Sequence, residues 1–271
     1  MTHVDFVSTR PCSALGRVLI FLGLALLPGF VPDVRAQSAQ LGGPSHPIYV
    51  KLYVDEEEPL RDAVWQEKLQ QRLNAASDIL VAYTGLRFVP AGYGTWDSQD
   101  DLRDLNKSLE EFEREITVPR RRLAIGFSSQ YKFQVGRNNL GGTRGPLRSH
   151  ILIREYAPKV QEAERLEVLV HELGHYLGAV HSTDPQSVMR PILADGKAAR
   201  RSFRIGFDQE NAQIIRLVGR EIAQRRIDHF VQIAPESLRK MRPHYAAQSQ
   251  ANPSDPAAKK YLEVIDRLAP Q

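Results

Sequence analysis

His171-Glu172-Leu173-Gly174-His175-Tyr176-Leu177-Gly178-Ala179-Val180-His181 decides how this chain is read. It fits the pattern H-E-x-x-H-x-x-G-x-x-H in full. On a helix, residues four apart stand one turn apart on one face. His171 and His175 can therefore direct two imidazoles at one metal ion, with Glu172 on the flank beside it. Gly178, lacking a Cβ, can take a left-handed conformation and turn the chain sharply, which returns His181 as a third ligand. Three neutral nitrogen donors suit Zn2+ and leave one tetrahedral position for water, as in a catalytic rather than a closed structural site. Glu172 is then the candidate general base, and one zinc ion is the expected cofactor. Five specified positions at these spacings arise by chance on the order of once in ten thousand chains of this size.

Working outward, Val160 to Leu177 carries an apolar stripe at Leu166, Leu169, Val170, Leu173 and Leu177, which predicts a helix ended by Gly178. Before it, Pro47 to Val54, Leu86 to Val89, Arg122 to Phe127 and Ser149 to Arg154 read as strands. Pro59 to Tyr83 reads as a long amphipathic helix with Pro59 in its first turn, and Ser98 to Ile116 as a charged, peripheral helix with a narrow stripe at Leu102, Leu105, Leu109 and Phe112. Leu140-Gly141-Gly142-Thr143 reads equally as an edge strand for an extended peptide or as a glycine loop. Beyond the motif, Asp208 to Ile227 is a helix with Asp208 as N-cap and Phe207 as staple, and Pro253 to Leu268 is a weaker one.

The chain has 271 residues, 42% hydrophobic and 25% charged, which excludes collagen-like and wholly disordered classes and fits one principal domain. Its 36 basic and 32 acidic residues are interspersed, giving a net charge of +4 without a basic-aromatic patch, so nucleic acid is not an expected partner. Val18 to Val31 is apolar, follows Arg10 and Arg17, and is broken by Pro28-Gly29. At 14 residues it falls short of the roughly 18 that a span needs, and Val34 and Ala36 supply a small-residue cleavage site. This reads as a signal peptide over 1–36, with an uncleaved anchor as the alternative, and places the protein outside the cell or in the periplasm. Cleavage removes Cys12, the sole cysteine, and leaves neither disulfide nor thiolate ligand. A short leader over 37–46, a catalytic domain over 47–227 and a C-terminal helical extension over 228–271 complete the expected organisation.

Together, His171 to His181 and Ser187-Val188-Met189 resemble the metzincin clan of zinc metallopeptidases, the second stretch looking like its Met-turn. The resemblance implies an α+β zincin fold, a twisted mixed sheet with long helices and a zinc cleft after the active-site helix. It implies zinc ligands His171, His175 and His181, general base Glu172, and Met189 as support beneath the metal. Ser182 directly after His181, and Pro191 two residues after Met189, look most like the matrixin branch. Arg190 departs from that branch, where a tyrosine follows the methionine, and the short leader lacks the cysteine of a matrixin propeptide.

These readings lead to an exported zinc endopeptidase acting on protein or peptide substrates. Two rivals remain: a non-catalytic zinc-bearing binding module of the same fold, and an interaction protein with a fortuitous motif. Among lesser candidates, His46, His150, His229 and His244 read as surface or satisfied histidines, with His150 the one considered for a structural zinc. Asp184 reads as a turn residue before Pro185.

Overall fold

Strand β1 (His46–Asp55) begins with strict alternation, Ile48, Val50, Leu52 and Val54 pointing inward while Pro47, Tyr49 and Lys51 stay exposed. Helix α1 (Asp62–Thr84) then buries Trp65, Leu69, Leu73, Ala76 and Leu80, spaced by three or four residues, and Gly85 closes it in a left-handed conformation at φ 70°. Pro59 lies ahead of α1 rather than in its first turn. The structure, a computed structural model, describes residues 45–130, 140–155 and 160–270. The apolar segment read as a signal peptide, Cys12 and most of the expected leader lie outside the described residues.

Strand β2 (Leu86–Trp96) runs well past the expected Val89. Among the described residues it pairs only with β1, an edge position that tolerates Pro90, and a register shift between Val50 and Leu52 absorbs Ala91 and Gly92. With β3 (Arg122–Ser128), β4 (Gly141–Thr143) and β5 (His150–Arg154) it makes a five-stranded sheet in the order β2-β1-β3-β5-β4. All neighbours are parallel except β4, which is antiparallel to β5 and forms the other edge. The expected mixed sheet is therefore present, and the edge-strand reading of Gly141 to Thr143 is the one adopted.

Both sheet faces are covered, as a largely parallel sheet requires. On one face α1 and helix α3 (Glu162–Tyr176) join Leu52, Ile125, Phe127, Ile151 and Ile153 in the main core. On the other, helix α2 (Leu105–Glu115) is not the peripheral element its charge suggested. It starts only after Asp104, whose carboxylate accepts from Asn106 N and Lys107 N, and it buries Leu109 and Phe112 completely against Tyr53, Trp96, Ala124 and Leu152. Gly126 makes room for this: a Cβ there would stand 3.0 Å from the Phe112 ring. One fully buried phenylalanine contributes about 1.5–3 kcal/mol, which outweighs the weak solvation preference of the charges on the outer face.

Helix α4 (Gln209–Arg225) has the expected cap, Asp208 Oδ1 accepting from Asn211 N at 3.1 Å. Phe207 packs edge-on against Tyr83 of α1 at 5.2 Å. Two further helices, α5 (Pro235–Ala251) and α6 (Pro256–Leu268), carry Leu238, Met241, Tyr245 and Ile265 into the main core. Among the described residues no helix is long and apolar enough to cross a membrane.

Candidate metal centre

The centre is built at the C-terminal end of α3. Its N-terminus is fixed by Glu164, whose carboxylate accepts from Gln161 N at 2.9 Å. At its other end Leu177 N donates to Leu173 O, and Gly178 turns the chain at φ 93°. Ala179 N then reaches back to Gly174 O at 2.9 Å, satisfying a carbonyl that the helix leaves open. Tyr245 of α5 fastens the same turn by donating its hydroxyl to Gly178 O at 2.7 Å.

That turn brings His171, His175 and His181 together, with one donor atom from each within 4.8 Å of the others. His171 is buried, and its Nδ1 lies 2.8 Å from Val188 O. His175 Nδ1 lies 2.9 Å from Ala179 O. A carbonyl oxygen only accepts, so both Nδ1 atoms carry the proton and both Nε2 atoms present lone pairs. Those two Nε2 atoms face each other at 3.0 Å. Two lone pairs held that close repel unless they share a cation. Burial, with its histidine neighbour, pushes His171 well below the ordinary range, and burial pushes His175 down to about 4, so both are neutral donors at neutral pH. Neutral imidazoles at this spacing fit a zinc ion.

Segment 187–189 forms the platform expected of the Met-turn. Val188 supplies the carbonyl for His171, while Met189 O accepts from Ser182 N at 2.9 Å beside His181. Met189 is fully buried beneath α3, so close that a Cβ on Gly174 would stand 2.7 Å from its sulfur. Asn211 clamps the intervening chain, its amide donating to Val180 O and its carbonyl accepting from Val180 N, each at 2.9 Å. Arg190 points inward: Nη1 donates to Glu167 Oε1 of α3 at 2.7 Å and Nη2 to Asp195 Oδ1 at 3.1 Å. It ties the Met-turn to the helix that carries the histidines.

Glu172 is 5% exposed, and burial pushes its carboxyl up to about 8. With the three histidines, Pro191 and Leu193 it lines a cleft of about 350 Å³ whose far wall is Leu140 to Thr143. A larger cavity of about 590 Å³, at the start of β1, contains none of these residues.

The remaining candidates separate from the centre. His150 Nε2 donates to Ile116 O at 2.7 Å, with Ser149 Oγ at its other nitrogen, which leaves no donor for a structural zinc. His244 pairs with Glu210 at 2.6 Å, and His229 caps a short 3-10 turn. Asp184 Oδ1 accepts from Gln186 N within its turn. Sequence reasoning missed the groups that hold the histidines: the Val188 and Ala179 carbonyls, Asn211, and Asp255, whose Oδ2 lies 3.0 Å from His181 Nδ1. Only Asp255 carried a local signal, as a cap residue before Pro256, and that signal does not name its partner.

The matrixin family model matches residues 65–215 of this chain. No curated protein matches it. Among solved structures, one described as "Structure of a chaperone-substrate complex" aligns at 14% identity with a TM-score of 0.45. That alignment covers 66% of this chain and 35% of the other, so the chain spans about a third of that relative's length.

Proposed function

This chain belongs to the matrixin family of zinc metallopeptidases, and we propose that it is an exported endopeptidase using one zinc ion held by His171, His175 and His181. The observation that carries this reading is the pair of Nε2 lone pairs facing each other at 3.0 Å, with His181 beside them. Bound there, zinc would supply Lewis-acid chemistry, lowering the pKa of a bound water to about 7 and polarising a peptide carbonyl.

The chain's own residues do the rest. Glu172, whose burial-raised pKa the charge of a zinc beside it would offset, stands at the cleft wall as an ionised carboxylate that takes the proton from the attacking water and returns it to the leaving amine. The outer edge of β4 has no strand partner among the described residues and flanks the cleft. An extended protein or peptide substrate pairs with it through main-chain hydrogen bonds, which places the scissile bond over Glu172. The Val188 and Ala179 carbonyls hold the His171 and His175 rings in the tautomer that leaves Nε2 free. Export rests on the apolar Val18 to Val31 segment, with catalysis assigned to 47–227 and a helical extension to 228–271.

Metal analysis of the purified chain, paired with cleavage of a denatured protein mixture with and without a chelator, tests the proposal. One zinc per chain with chelator-sensitive cleavage is the expected result. Absence of zinc overturns it, and one zinc without cleavage favours the binding-module reading.

A further inference from the structure

His171 and His175 each rest their Nδ1 on a backbone carbonyl of a neighbouring turn, but His181 does not. Its Nδ1 lies 3.0 Å from Oδ2 of Asp255, a carboxylate 74 positions further along the chain. Asp255 sits beyond the 65–215 segment matched by the family model. We propose that Asp255 is a positioning residue of the metal centre, so that the C-terminal helices complete a site whose ligands all lie upstream of them.

The carboxylate is held from two sides. Oδ1 accepts from Ala257 N at 2.9 Å as the N-cap of α6, which fixes the side-chain rotamer. Oδ2 is buried, its 3.0 Å approach to His181 Nδ1 is an ion-pair contact without the alignment of a hydrogen bond, and the side chain is only 15% exposed. An anion 3.0 Å from Nδ1 favours the proton on that nitrogen and leaves Nε2 for the metal. The negative charge also makes that nitrogen a stronger donor. His181 needs this more than its partners do, because its side chain is 36% exposed and no helix carries it.

The platform behind Asp255 is rigid. Besides the Tyr245 bond to Gly178, Gln248 of α5 donates to Asp208 Oδ1 at 2.7 Å. The Tyr261 ring of α6 lies tilted against Tyr245 at 5.4 Å and Phe230 at 5.6 Å. Ala258 and Ile265 are buried in the main core. The α5–α6 pair therefore grips both sides of the motif: Tyr245 holds the glycine turn, and Asp255 holds the histidine that the turn delivers.

This inference rests on the proposed zinc site, and the test separates the two. Zinc affinity of the metal-free full-length chain is measured by competition with a chromophoric chelator, alongside its thermal midpoint, for wild type, Asp255→Ser and Asp255→Asn. Serine and asparagine both cap a helix about as well as aspartate. Serine is too short to reach His181, whereas asparagine reaches it without the charge. The expected result is a wild-type chain binding one zinc, about 10–100-fold weaker binding in the serine variant, an intermediate value for asparagine, and unchanged metal-free midpoints. Wild-type affinity in either folded variant overturns the assignment and leaves Asp255 as a cap alone. If Asp255→Ser does not fold, the asparagine variant decides by the same criterion. Failure of the wild-type chain to bind zinc refutes instead the metal site itself.

Discussion

A Cβ placed on Gly141 would stand 2.6 Å from Oε1 of Glu172 and 2.8 Å from its carboxyl carbon. The edge strand and the proposed base are thus in contact through a position that only glycine can occupy without displacement. Gly142, the next residue, has no such constraint, since a Cβ there would meet only Leu105 and Leu109 at 3.7 and 3.9 Å. Gly141→Ala is expected to lower kcat/KM about 100-fold by shifting Glu172 or the substrate strand. Gly142→Ala should stay near wild type, and equal activity in the two variants would contradict the contact's role.

Arg190, directly after Met189, serves the scaffold. Its side chain is 5% exposed and Glu167 is fully buried. Arg190→Met strands that carboxylate, so a loss of about 3–5 kcal/mol in urea unfolding is expected. Adding Glu167→Leu should recover much of it, because the pair's desolvation cost disappears with the charge. A single variant as stable as wild type would show that the pair contributes nothing.

Much of the centre was legible because metal ligation imposes spacing: His171, His175, Gly178 and His181 encode a helix, its end and a return within eleven residues. The strands of the central sheet were legible from their apolar runs, and Asp208 from its capping position. Less visible was α2, whose charges hide that Phe112 fills the far face of the sheet. Helix α5 went unassigned as a separate element, because Pro243 interrupts a polar stretch whose apolar stripe is only Leu238, Met241 and Tyr245. Asp255 could not be connected to His181 from local pattern, because tertiary packing alone brings positions 74 residues apart together. The extension of β2 past Pro90 required knowing that β2 is an edge.

Acid should weaken the fold through Glu155. Burial opposes its charge, but the Arg72 guanidinium, bonded to it at 2.6 and 3.0 Å, holds its carboxyl down at about 2 against an ordinary 4.5. The folded state therefore binds fewer protons than the unfolded one between those values. The stabilisation is complete above about pH 5 and is lost as pH falls toward 2. Between pH 6 and pH 3, wild type should lose about 2 kcal/mol more than Glu155→Gln, which has no carboxyl to protonate there. Urea titrations at the two pH values measure the difference, and parallel losses in the two proteins would place the acid sensitivity elsewhere.

The central claim, that Glu172 moves the proton over a zinc held by three histidines, is tested most directly by Glu172→Gln, assayed for bound zinc and for peptide cleavage on the same preparation. The variant should keep one zinc per chain and the wild-type fold while cleavage falls by about two to four orders of magnitude. Cleavage at the wild-type rate, with zinc still bound, would contradict the mechanism.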